Sequence, residues 1–518
     1  MRYHESVPTY HVENFGCRAT QADGAAIEHQ FESRGLSPVS AAQADFVVLN
    51  TCTVTNSADQ DARAAIRRVQ RQNPLARIIV TGCYAQRAPE EIAALPGVTA
   101  VIGNSHKHQL VELALPILSD LGWRSASSAA VDPANLVAAS AAQPTAFVPL
   151  TSLTAESRKP KPEARHFVSD IFAHTELLAA PVFESVGELS ENARTRPNLK
   201  VQDGCDNRCS FCVIPSVRGH SRSLSLPQIV REVNTLVAAG YREVVISGIN
   251  LGRWGRDLVI GSQPLRLPAQ GRLRTAFIDC RQLNDQRLTA NDQRLEFLIR
   301  AILAETQLEK LRISSVEPMD WTSELISLVA SSPRIAKHAH VPLQSGSDAV
   351  LRRMHRKYRP WHYREKIEKI RAAMPTAAIG ADVMAGFPGE TDSEFEATRR
   401  LIEDLPFTYL HVFTYSARPG TPAAALPNQV PVHVARERNR ILRDLAAEKK
   451  LAFLQSFIGK ALEAITLNVA HDGPDGERTE ALTDNYQKLH LKGRHEPNHW
   501  IRAHIERVED GALAGMLA

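Results

Sequence analysis

Two stretches of the 518-residue chain alternate short apolar runs with amphipathic helical patterns, and this alternation is the strongest constraint on the fold. The first stretch covers residues 8–105 and the second covers residues 197–430. Strand–helix alternation of this kind is typical of parallel sheets that are covered by helices. The sequence therefore predicts an α/β protein with two successive parallel sheets.

The first stretch predicts an N-terminal domain built on an open parallel α/β sheet. Its apolar runs are short enough for strands, and the segments between them have helical periodicity. The predicted strands are 9–14, 46–49, 78–81 and 99–102, and the predicted helices are 21–33, 58–72 and 89–95.

Three cysteines of this domain each follow one of the predicted strands. Cys17, Cys52 and Cys83, which we call the sheet-edge triad, lie just past the carboxyl ends of the first three strands. In an open parallel sheet these strand ends form one edge, which is where ligands bind. Cysteines far apart in sequence would therefore meet at one place. A metal site is favoured over the alternative of three small apolar residues at strand ends.

The second stretch contains six strand–helix units and predicts a partial parallel (β/α)6 barrel. Functional groups in such barrels gather on the loops that follow the strands. The predicted strands are 199–202, 243–247, 311–314, 338–341, 379–384 and 409–415, and the helices are 226–239, 295–305, 323–330, 347–354, 362–374 and 391–403.

A compact group of cysteines follows the first predicted barrel strand. Cys205, Cys209 and Cys212, which we call the barrel triad, form a C-x3-C-x2-C motif. Three thiolates at this spacing can bind three irons of a [4Fe–4S] cluster, which usually has four cysteine ligands, and leave the fourth iron open. Structural zinc is the alternative, but no second Cys or His pair with suitable spacing follows closely. The remaining Cys280 has no nearby partner and is interpreted as a bystander.

The other segments differ in composition from the two α/β stretches. Residues 106–196 are predicted to be a linker, since their Ala-, Ser-, Pro- and Lys-rich insertion at 118–165 cannot bury much apolar surface. A second irregular insertion covers 260–291. A charged connecting helix at 431–457 precedes residues 458–518, which predict a small antiparallel β-barrel of about five strands, compatible with an OB-like fold.

The overall composition is that of an ordinary globular protein. A net charge of +4 and a hydrophobic fraction of 43% argue against disorder, a fibrous repeat or a coiled-coil rod. No stretch approaches the 18 apolar residues of a membrane span, and the N-terminus does not have the pattern of a signal peptide. Seven sparse cysteines are a poor disulfide framework. We therefore expect a soluble, cytoplasmic protein with neither a membrane nor DNA as partner.

The barrel-triad motif at the head of a partial barrel resembles the radical S-adenosylmethionine superfamily. Sequences around both triads narrow the resemblance to the methylthiotransferases, which carry an N-terminal three-cysteine domain, a radical barrel and a C-terminal TRAM domain. The resemblance covers about two-thirds of the chain and is interrupted at the two insertions. The segments that carry it near the cysteines are ENFGCRATQADG (13–24), LNTCTVTNSAD (49–59), VTGCYAQ (80–86) and KVQDGCDNRCSFCVIPSVRGHSRS (200–223).

The resemblance implies two [4Fe–4S] clusters and S-adenosylmethionine as cofactors. The barrel triad would bind the cluster that chelates S-adenosylmethionine, and the sheet-edge triad would bind an auxiliary cluster connected with the inserted sulfur. No catalytic residue beyond these ligands is predicted. The glycines among the other candidates could equally be turn residues, and the Ser and Glu could equally be barrel lining. These cofactor-binding candidates are Phe211 near the adenine, Gly248 at the methionine amino group, Ser315 and Glu317 at the ribose or carboxylate, and Gly386 with Phe387 at the adenine pocket.

The implied reaction uses an electron from a low-potential donor to cleave S-adenosylmethionine. The resulting radical takes a hydrogen from an unreactive carbon, and a methylated sulfur is delivered there. The segments VRGHSRS and HVPLQSGSD most resemble the type that acts at C2 of N6-threonylcarbamoyladenosine next to the tRNA anticodon. The alternatives are isopentenyladenosine in tRNA, a ribosomal-protein side chain, and a non-catalytic iron–sulfur protein that binds RNA or transfers electrons.

Local positive charge favours the anticodon loop of tRNA as a partner. Residues 352–371 combine nine Lys and Arg residues with Tyr358, Trp361 and Tyr363, whose rings could stack on unpaired bases. A solvated helix whose rings pack inward is the alternative. The C-terminal domain resembles TRAM, which is an RNA-binding module. Further basic candidates are Arg63, Arg67, Arg68 and Arg71 on an N-terminal helix, and Lys488, His490, Lys492, Arg494 and Arg502 in the C-terminal domain.

Overall fold

The fold is known from a computed structural model. Cys280 and nearly all of the two predicted insertions lie outside its described residues. Within them, no helix is both long enough and apolar enough to cross a membrane. The described residues are 7–116, 164–174, 195–258, 294–473 and 476–518.

The N-terminal sheet has six parallel strands in the order β2-β1-β3-β4-β5-β6. Its long central strands are apolar because helices cover both faces. The strands are β1 (Thr9–Asn14), β2 (Ser37–Pro38), β3 (Phe46–Thr51), β4 (Arg77–Gly82), β5 (Val98–Gly103) and β6 (Arg165–Phe167). The helices are α1 (Arg18–Glu32), α2 (Asn56–Gln72), α3 (Cys83–Arg87), α4 (Pro89–Ala93) and α5 (Leu110–Ala114).

Alternate residues of β3 point to opposite faces of this sheet. Val47 belongs to an apolar cluster with Ile66 of α2, whereas Val48 belongs to a second cluster with Phe31 of α1. Helices thus lie on both faces, and the predicted open parallel α/β sheet is confirmed.

The predicted linker over 106–196 is wrong at both of its ends. At one end α5 packs on the sheet and buries Leu110. At the other end β6 pairs with β5 in parallel, and Gln86 of α3 donates a hydrogen bond to the Ser169 carbonyl at 2.9 Å. These short apolar segments are stabilised by the sheet that they extend. The Ala-, Ser- and Pro-rich composition of the insertion between them gives no sign of this in the sequence.

The second sheet system is a partial barrel of six parallel strands, as predicted. Its two ladders, β10-β9-β7 and β11-β12-β13, are connected by a parallel bridge between Ser315 and His340. The short strand β8 pairs with β7 in antiparallel fashion at the edge. The strands are β7 (Asn198–Asp203), β8 (Arg222–Ser223), β9 (Glu243–Gly248), β10 (Lys310–Ile313), β11 (His338–His340), β12 (Ala378–Ala385) and β13 (Tyr409–Thr414).

Helices follow these strands and cover the outside of the barrel. Several begin at side-chain caps: the Thr322 hydroxyl caps one helix and Thr391 forms a capping box with Glu394 at another. The helices are α6 (Ile214–Arg218), α7 (Leu226–Ala238), α8 (Leu295–Glu305), α9 (Ser323–Ser331), α10 (Asp348–Arg353), α11 (Pro360–Ala373) and α12 (Asp392–Asp404).

A long helix, α13 (Val432–Gln455), leads into a closed barrel of five strands in the order β14-β15-β16-β18-β17. The predicted small β-barrel is confirmed, although β16 and β18 pair in parallel and the expectation of a wholly antiparallel barrel is wrong. Leu454 and Phe457 close one end of its core. The strands are β14 (Ala461–Gly473), β15 (Gly476–Thr483), β16 (Lys488–Lys492), β17 (Trp500–Glu509) and β18 (Ala512–Leu517).

The N-terminal sheet and the C-terminal barrel both dock on the central barrel. Helix α1 packs against β7, and α3 packs against α6. On the C-terminal side, Asn498 donates a hydrogen bond to the Gly240 carbonyl at 2.8 Å, and Asn485 donates one to the Thr376 carbonyl at 2.9 Å. Gly240 and Thr376 precede β9 and β12, so the C-terminal barrel contacts the amino ends of the central strands.

Candidate active site

A chamber of about 680 Å³ lies where the three parts of the chain meet. The N-terminal domain contributes Cys17 and Arg18 at the start of α1, and the C-terminal barrel contributes Tyr486 from the turn between β15 and β16. The central barrel contributes the loops after β7, β9 and β10. Eight of the predicted site residues line the chamber: Cys17, Cys205, Cys209, Phe211, Cys212, Gly248, Ser315 and Glu317.

Strand register brings the sheet-edge triad together. Cys17, Cys52 and Cys83 follow adjacent strands whose ends are aligned, with Asn14 opposite Asn50 in one pairing and residues 51 and 82 opposite each other in the next. The residue before Cys17 lies directly against Cys52, since a Cβ on Gly16 would be 2.9 Å from Cys52 Sγ. Burial, followed by repulsion from Cys83 and Cys17, raises the pKa of Cys52 to about 12. The expected convergence of these cysteines at one sheet edge is therefore observed.

Nitrogen donors point at sulfurs of this triad. The backbone N–H of Val54 donates to Cys52 Sγ at 3.5 Å, and Asn104 Nδ2 donates to Cys83 Sγ at 3.5 Å. Such hydrogen bonds are one of the means by which a protein tunes the reduction potential of a cluster.

A buried group of charged residues, which we call the ion cluster, lies beside the sheet-edge triad. It crosses the junction between the N-terminal domain and the barrel, and it has one more cation than carboxylates. Its Arg218 interacts electrostatically with Cys17, Cys52 and Cys83, and Arg218 Nε is buried without a hydrogen-bond partner in the described chain. An excess cation with a free donor fits an anionic, thiolate-bound cluster. The ion cluster consists of Asp23, Lys107, Lys200, Asp203 and Arg218.

The barrel triad lies at the carboxyl end of β7 and is also surrounded by donors. Cys205 Sγ accepts from the Asn207 backbone N–H at 3.4 Å and from Asn250 Nδ2 at 3.6 Å, and Cys209 Sγ accepts from Arg356 Nη1 at 3.3 Å. Burial is the main reason that the pKa of Cys212 rises to about 12, with added repulsion from the other two thiols. A bound metal cluster would offset the repulsion between the three sulfurs when they are thiolates.

The donor set of the two triads fits iron–sulfur chemistry. Each triad supplies three thiols, and all six are free. Cysteine thiolates are the usual ligands of a [4Fe–4S] cluster, and three of them can bind three of its irons.

Three other predicted cofactor-binding residues line the chamber, and each makes a different contact with its neighbours. The backbone at Gly248 passes close to a buried side chain, since a Cβ there would lie 2.8 Å from Gln202 Oε1. Ser315 Oγ and His340 Nδ1 are hydrogen-bonded at 2.9 Å. Glu317 forms an ion pair with Arg356. These residues surround space with unsatisfied polar groups, because Ser247 Oγ, Asn250 Oδ1 and Gln344 Oε1 are buried there without partners in the described chain.

Apart from Cys52 and Cys83, which lie behind Cys17 at the sheet edge, Gly386 and Phe387 are the candidates that do not line the chamber. Gly386 has a φ of +77°, donates its N–H to Glu390, and lies so close to α13 that a Cβ would approach Ala435 Cβ to 2.4 Å. Phe387 is fully buried and packs edge-on against Tyr415. Turn geometry and packing account for these two residues where they lie, and their predicted support of the adenine pocket stays a prediction.

Arg356 is a site residue that sequence reasoning assigned to another role. It was included in the basic segment 352–371, but its guanidinium is buried and contacts Cys209, Glu317 and Tyr358. Burial lowers the pKa of Arg356, but the neighbouring Tyr358, Glu317 and Cys209 outweigh it and hold that pKa well above its ordinary value. It connects the barrel triad to a carboxylate in the chamber.

Sequence reasoning also missed a wall of histidine and tyrosine side chains. His338 and His340 occupy alternate positions of β11, and Tyr409 and His411 do so on β13, so each pair faces the chamber. Burial and nearby Arg312 hold the pKa of His338 well below its ordinary value, and burial and His340 lower that of His411. Polar residues at every second position of a buried strand were the available signal.

The aromatic residues of segment 352–371 mostly pack inward. Tyr358 and Tyr363 are buried, and each donates its hydroxyl hydrogen to a backbone carbonyl, at 2.6 Å in both cases. Only Trp361 of the three rings is exposed. The prediction of base stacking is therefore wrong for both tyrosines, and the alternative of an inward-packed helix face is correct for them.

Many of the candidate RNA-binding cations are engaged in ion pairs. In the N-terminal helix, Arg63 pairs with Glu91 and Arg68 pairs with Glu13, and in segment 352–371 most cations have similar partners. The exposed candidates that make no ion pair with any described residue are Arg67, Arg71, Lys357, Lys492, Arg494 and Arg502.

Two family models match the chain. Residues 9–103 match the "Uncharacterized protein family UPF0004", and residues 199–402 match the "Radical SAM superfamily". The second match implies S-adenosylmethionine and a [4Fe–4S] cluster as cofactors.

Individual relatives cover nearly the whole chain. A "Threonylcarbamoyladenosine tRNA methylthiotransferase MtaB" of Bacillus subtilis (strain 168) is 33% identical over 94% of this chain and 90% of its own length. The chain belongs to the radical S-adenosylmethionine methylthiotransferase family. A protein of the same name from Rickettsia prowazekii (strain Madrid E) is 33% identical over 98% of this chain and 97% of its own length.

A methylthiotransferase relative with a different printed substrate is also similar. The "tRNA-2-methylthio-N(6)-dimethylallyladenosine synthase" of Novosphingobium aromaticivorans is 30% identical over 99% of this chain and 98% of its own length. Overall identity therefore establishes an enzyme of this family but separates the two nucleosides poorly.

Proposed function

We propose that this enzyme adds a methylthio group to C2 of N6-threonylcarbamoyladenosine next to the anticodon of tRNA. The observation that carries the proposal is that both triads reach the same chamber. Cys17 of the sheet-edge triad and all three cysteines of the barrel triad line it. Two sulfur-bound centres facing one substrate are what such a reaction needs. The names of five of the first relatives, found at 29–33% identity, support the nucleoside.

The proposed cofactors are two [4Fe–4S] clusters, one on each triad, together with S-adenosylmethionine. When bound, they would supply the electron transfer, the hydrogen-abstracting radical and the sulfur, with electrons from a low-potential donor. Cys205, Cys209 and Cys212 would hold the first cluster, and Cys17, Cys52 and Cys83 the second. Phe211, Gly248, Ser315 and Glu317 would contact S-adenosylmethionine.

The chain's own residues orient these groups and exclude water from them. Helix α3, which begins at Cys83, packs on α6, so that Cys83, Val213 and Val217 form a small apolar cluster between the two triads. The buried Arg356 holds Glu317 in place while it donates to Cys209, so one side chain couples the barrel triad to a proposed cofactor contact. Rigid, preorganised contacts of this kind limit side reactions of a radical.

An assay on defined tRNA tests the proposal. The chain would be reconstituted anaerobically, its iron counted, and S-adenosylmethionine, a reductant and tRNA bearing threonylcarbamoyladenosine added before nucleoside mass spectrometry. We expect about eight irons per chain, four for each cluster, and a methylthio-sized mass gain on that nucleoside. Modification only of isopentenyladenosine in a parallel tRNA, or only of ribosomal protein, would refute the nucleoside. Fully loaded protein that cleaves no S-adenosylmethionine would refute the enzyme itself.

Binding of tRNA should depend strongly on salt. Six exposed candidates make no ion pair with other described residues and can bind phosphates: Arg67, Arg71, Lys357, Lys492, Arg494 and Arg502. If three or more do so, counterion release predicts that affinity falls at least about tenfold between roughly 50 and 200 mM salt. Filter binding of the same tRNA across this range measures the slope. An affinity independent of salt would contradict a phosphate-binding surface.

A further inference from the structure

Arg18 lines the chamber directly beside Cys17 and is held by the C-terminal barrel. Its Nη2 donates to the Tyr486 hydroxyl at 2.7 Å, and its Cζ lies 5.6 Å from the centroid of that ring. At its backbone, the Arg18 carbonyl accepts from Asn198 Nδ2 at 2.8 Å. The side chain is therefore held by the C-terminal barrel and the backbone by the central barrel, while the other N–H groups of the guanidinium stay available.

The two carboxylates that line the chamber have partners other than Arg18. Glu317 is paired with Arg356, and Asp382 lies 3.4 Å from His340 Nε2. Lowered pKa values keep His338 and His411 uncharged at neutral pH. Among the described residues that line the chamber, Arg18 is the cation that makes no ion pair. A half-buried guanidinium without a carboxylate indicates that the ligand brings an anion.

We propose that Arg18 binds the carboxylate of the threonyl group on N6 of the adenosine, and that this contact selects that nucleoside over one with an apolar N6 substituent. The inference rests on the proposed function. In adenine, C2 and the N6 substituent flank N1 on the same edge of the base. A base whose C2 faces the sulfur centre at Cys17 therefore presents its N6 substituent to the adjacent wall, where Arg18 lies. Arginine suits this role because its planar fork can bind a carboxylate through two hydrogen bonds.

The test uses three synthetic anticodon stem-loops, which carry threonylcarbamoyladenosine, its methyl ester, or isopentenyladenosine. Binding to the anaerobically reconstituted full chain is measured by fluorescence anisotropy without reductant, so no turnover occurs. Methylthiolation is then measured with reductant. The variants are Arg18→Gln, Arg18→Lys and, as a matched control, Arg440→Gln, since Arg440 is exposed on α13 and does not line the chamber.

We expect the wild type and Arg440→Gln to bind the free acid at least about tenfold more tightly than the ester, as for a hydrogen bond between charged groups. Arg18→Gln should bind acid and ester alike, at the level of the wild type with the ester, and Arg18→Lys should keep part of the preference. Equal losses for acid and ester in Arg18→Gln would overturn the inference and indicate a backbone phosphate as the ligand. An unchanged preference in Arg18→Gln would also overturn it.

Failure of the proposed function has a separate signature. If the wild type methylthiolates the isopentenyladenosine stem-loop and not the threonylcarbamoyladenosine one, the proposed nucleoside is wrong and the basis of the inference is lost with it. If the wild type acts on threonylcarbamoyladenosine while Arg18→Gln keeps its preference for the acid, only the role of Arg18 is wrong.

Discussion

Cys52→Ala should spare cleavage of S-adenosylmethionine and abolish methylthiolation, whereas Cys209→Ala should abolish both. The two residues belong to different triads, since Cys52 follows β3 of the N-terminal sheet and Cys209 follows β7 of the central barrel, so each substitution removes a ligand from one centre only. A radical enzyme needs the centre that chelates its cofactor for every later step. It needs the sulfur centre only for delivery. Product formation for both reactions, measured by mass spectrometry with tRNA, separates the two losses.

Iron content and a third cysteine variant make this comparison decisive. We expect each single substitution to lower the iron per chain by up to half, because the other triad keeps its ligands. Cys280→Ala is the matched control, since Cys280 is predicted to be a bystander. It should retain full iron and both activities. Methylthiolated nucleoside from Cys52→Ala would show that the sheet-edge triad is not the sulfur centre.

The positions of the cysteines were predictable because they depend on topology alone. Apolar runs of strand length mark β3 and β4, and the rule that parallel strand ends share an edge then brings Cys52 and Cys83 together. The barrel triad could be predicted without any knowledge of the topology, since its three cysteines lie within eight residues of sequence. Neither inference required knowledge of a side-chain conformation.

The chamber wall was not predictable in the same way. Arg356 appeared as one cation in a basic run, and only the packed barrel shows that it turns inward to Cys209. Tyr486 lies in the C-terminal domain, far along the chain from Arg18, and its role depends on how the domains dock. Gly386 was a candidate for the cofactor pocket, but in the structure it packs against α13. A glycine after a strand looks the same in sequence whether it packs on a helix or on a ligand.

The ion cluster depends on packing between domains, and it provides a test of how strongly they are joined. Asp23 of α1 is buried and accepts hydrogen bonds from Lys107 at 2.9 Å, from Arg218 at 3.0 Å and from Lys200. Burial alone would raise its pKa, but attraction to these three cations holds the pKa well below its ordinary value. The carboxylate from the N-terminal domain is therefore the counter-ion for two barrel residues.

Asp23→Asn should destabilise the metal-free chain by about 3–5 kcal/mol, which is typical when one partner of a buried ion pair is removed. The amide would keep the shape but leave three buried cations with Asp203 as their only carboxylate in the ion cluster. Urea unfolding measured at the transition that separates the N-terminal domain from the barrel gives the change. Asp444→Asn, at an exposed pair with Arg440, is the matched control and should change little.

The pH dependence of this difference tests its electrostatic origin. A lowered folded-state pKa means that the contribution of Asp23 is fully present above the ordinary aspartate pKa of 3.8 and is lost only as the pH falls below that value. The gap in stability between the wild type and Asp23→Asn should therefore stay constant between about pH 8 and 6. A gap that closes within this range, or a loss no larger than that of Asp444→Asn, would mean that the lysines and Arg218 are neutralised by something other than Asp23. In that case the N-terminal domain would be held on the barrel by its apolar contacts between α3 and α6 rather than by charge.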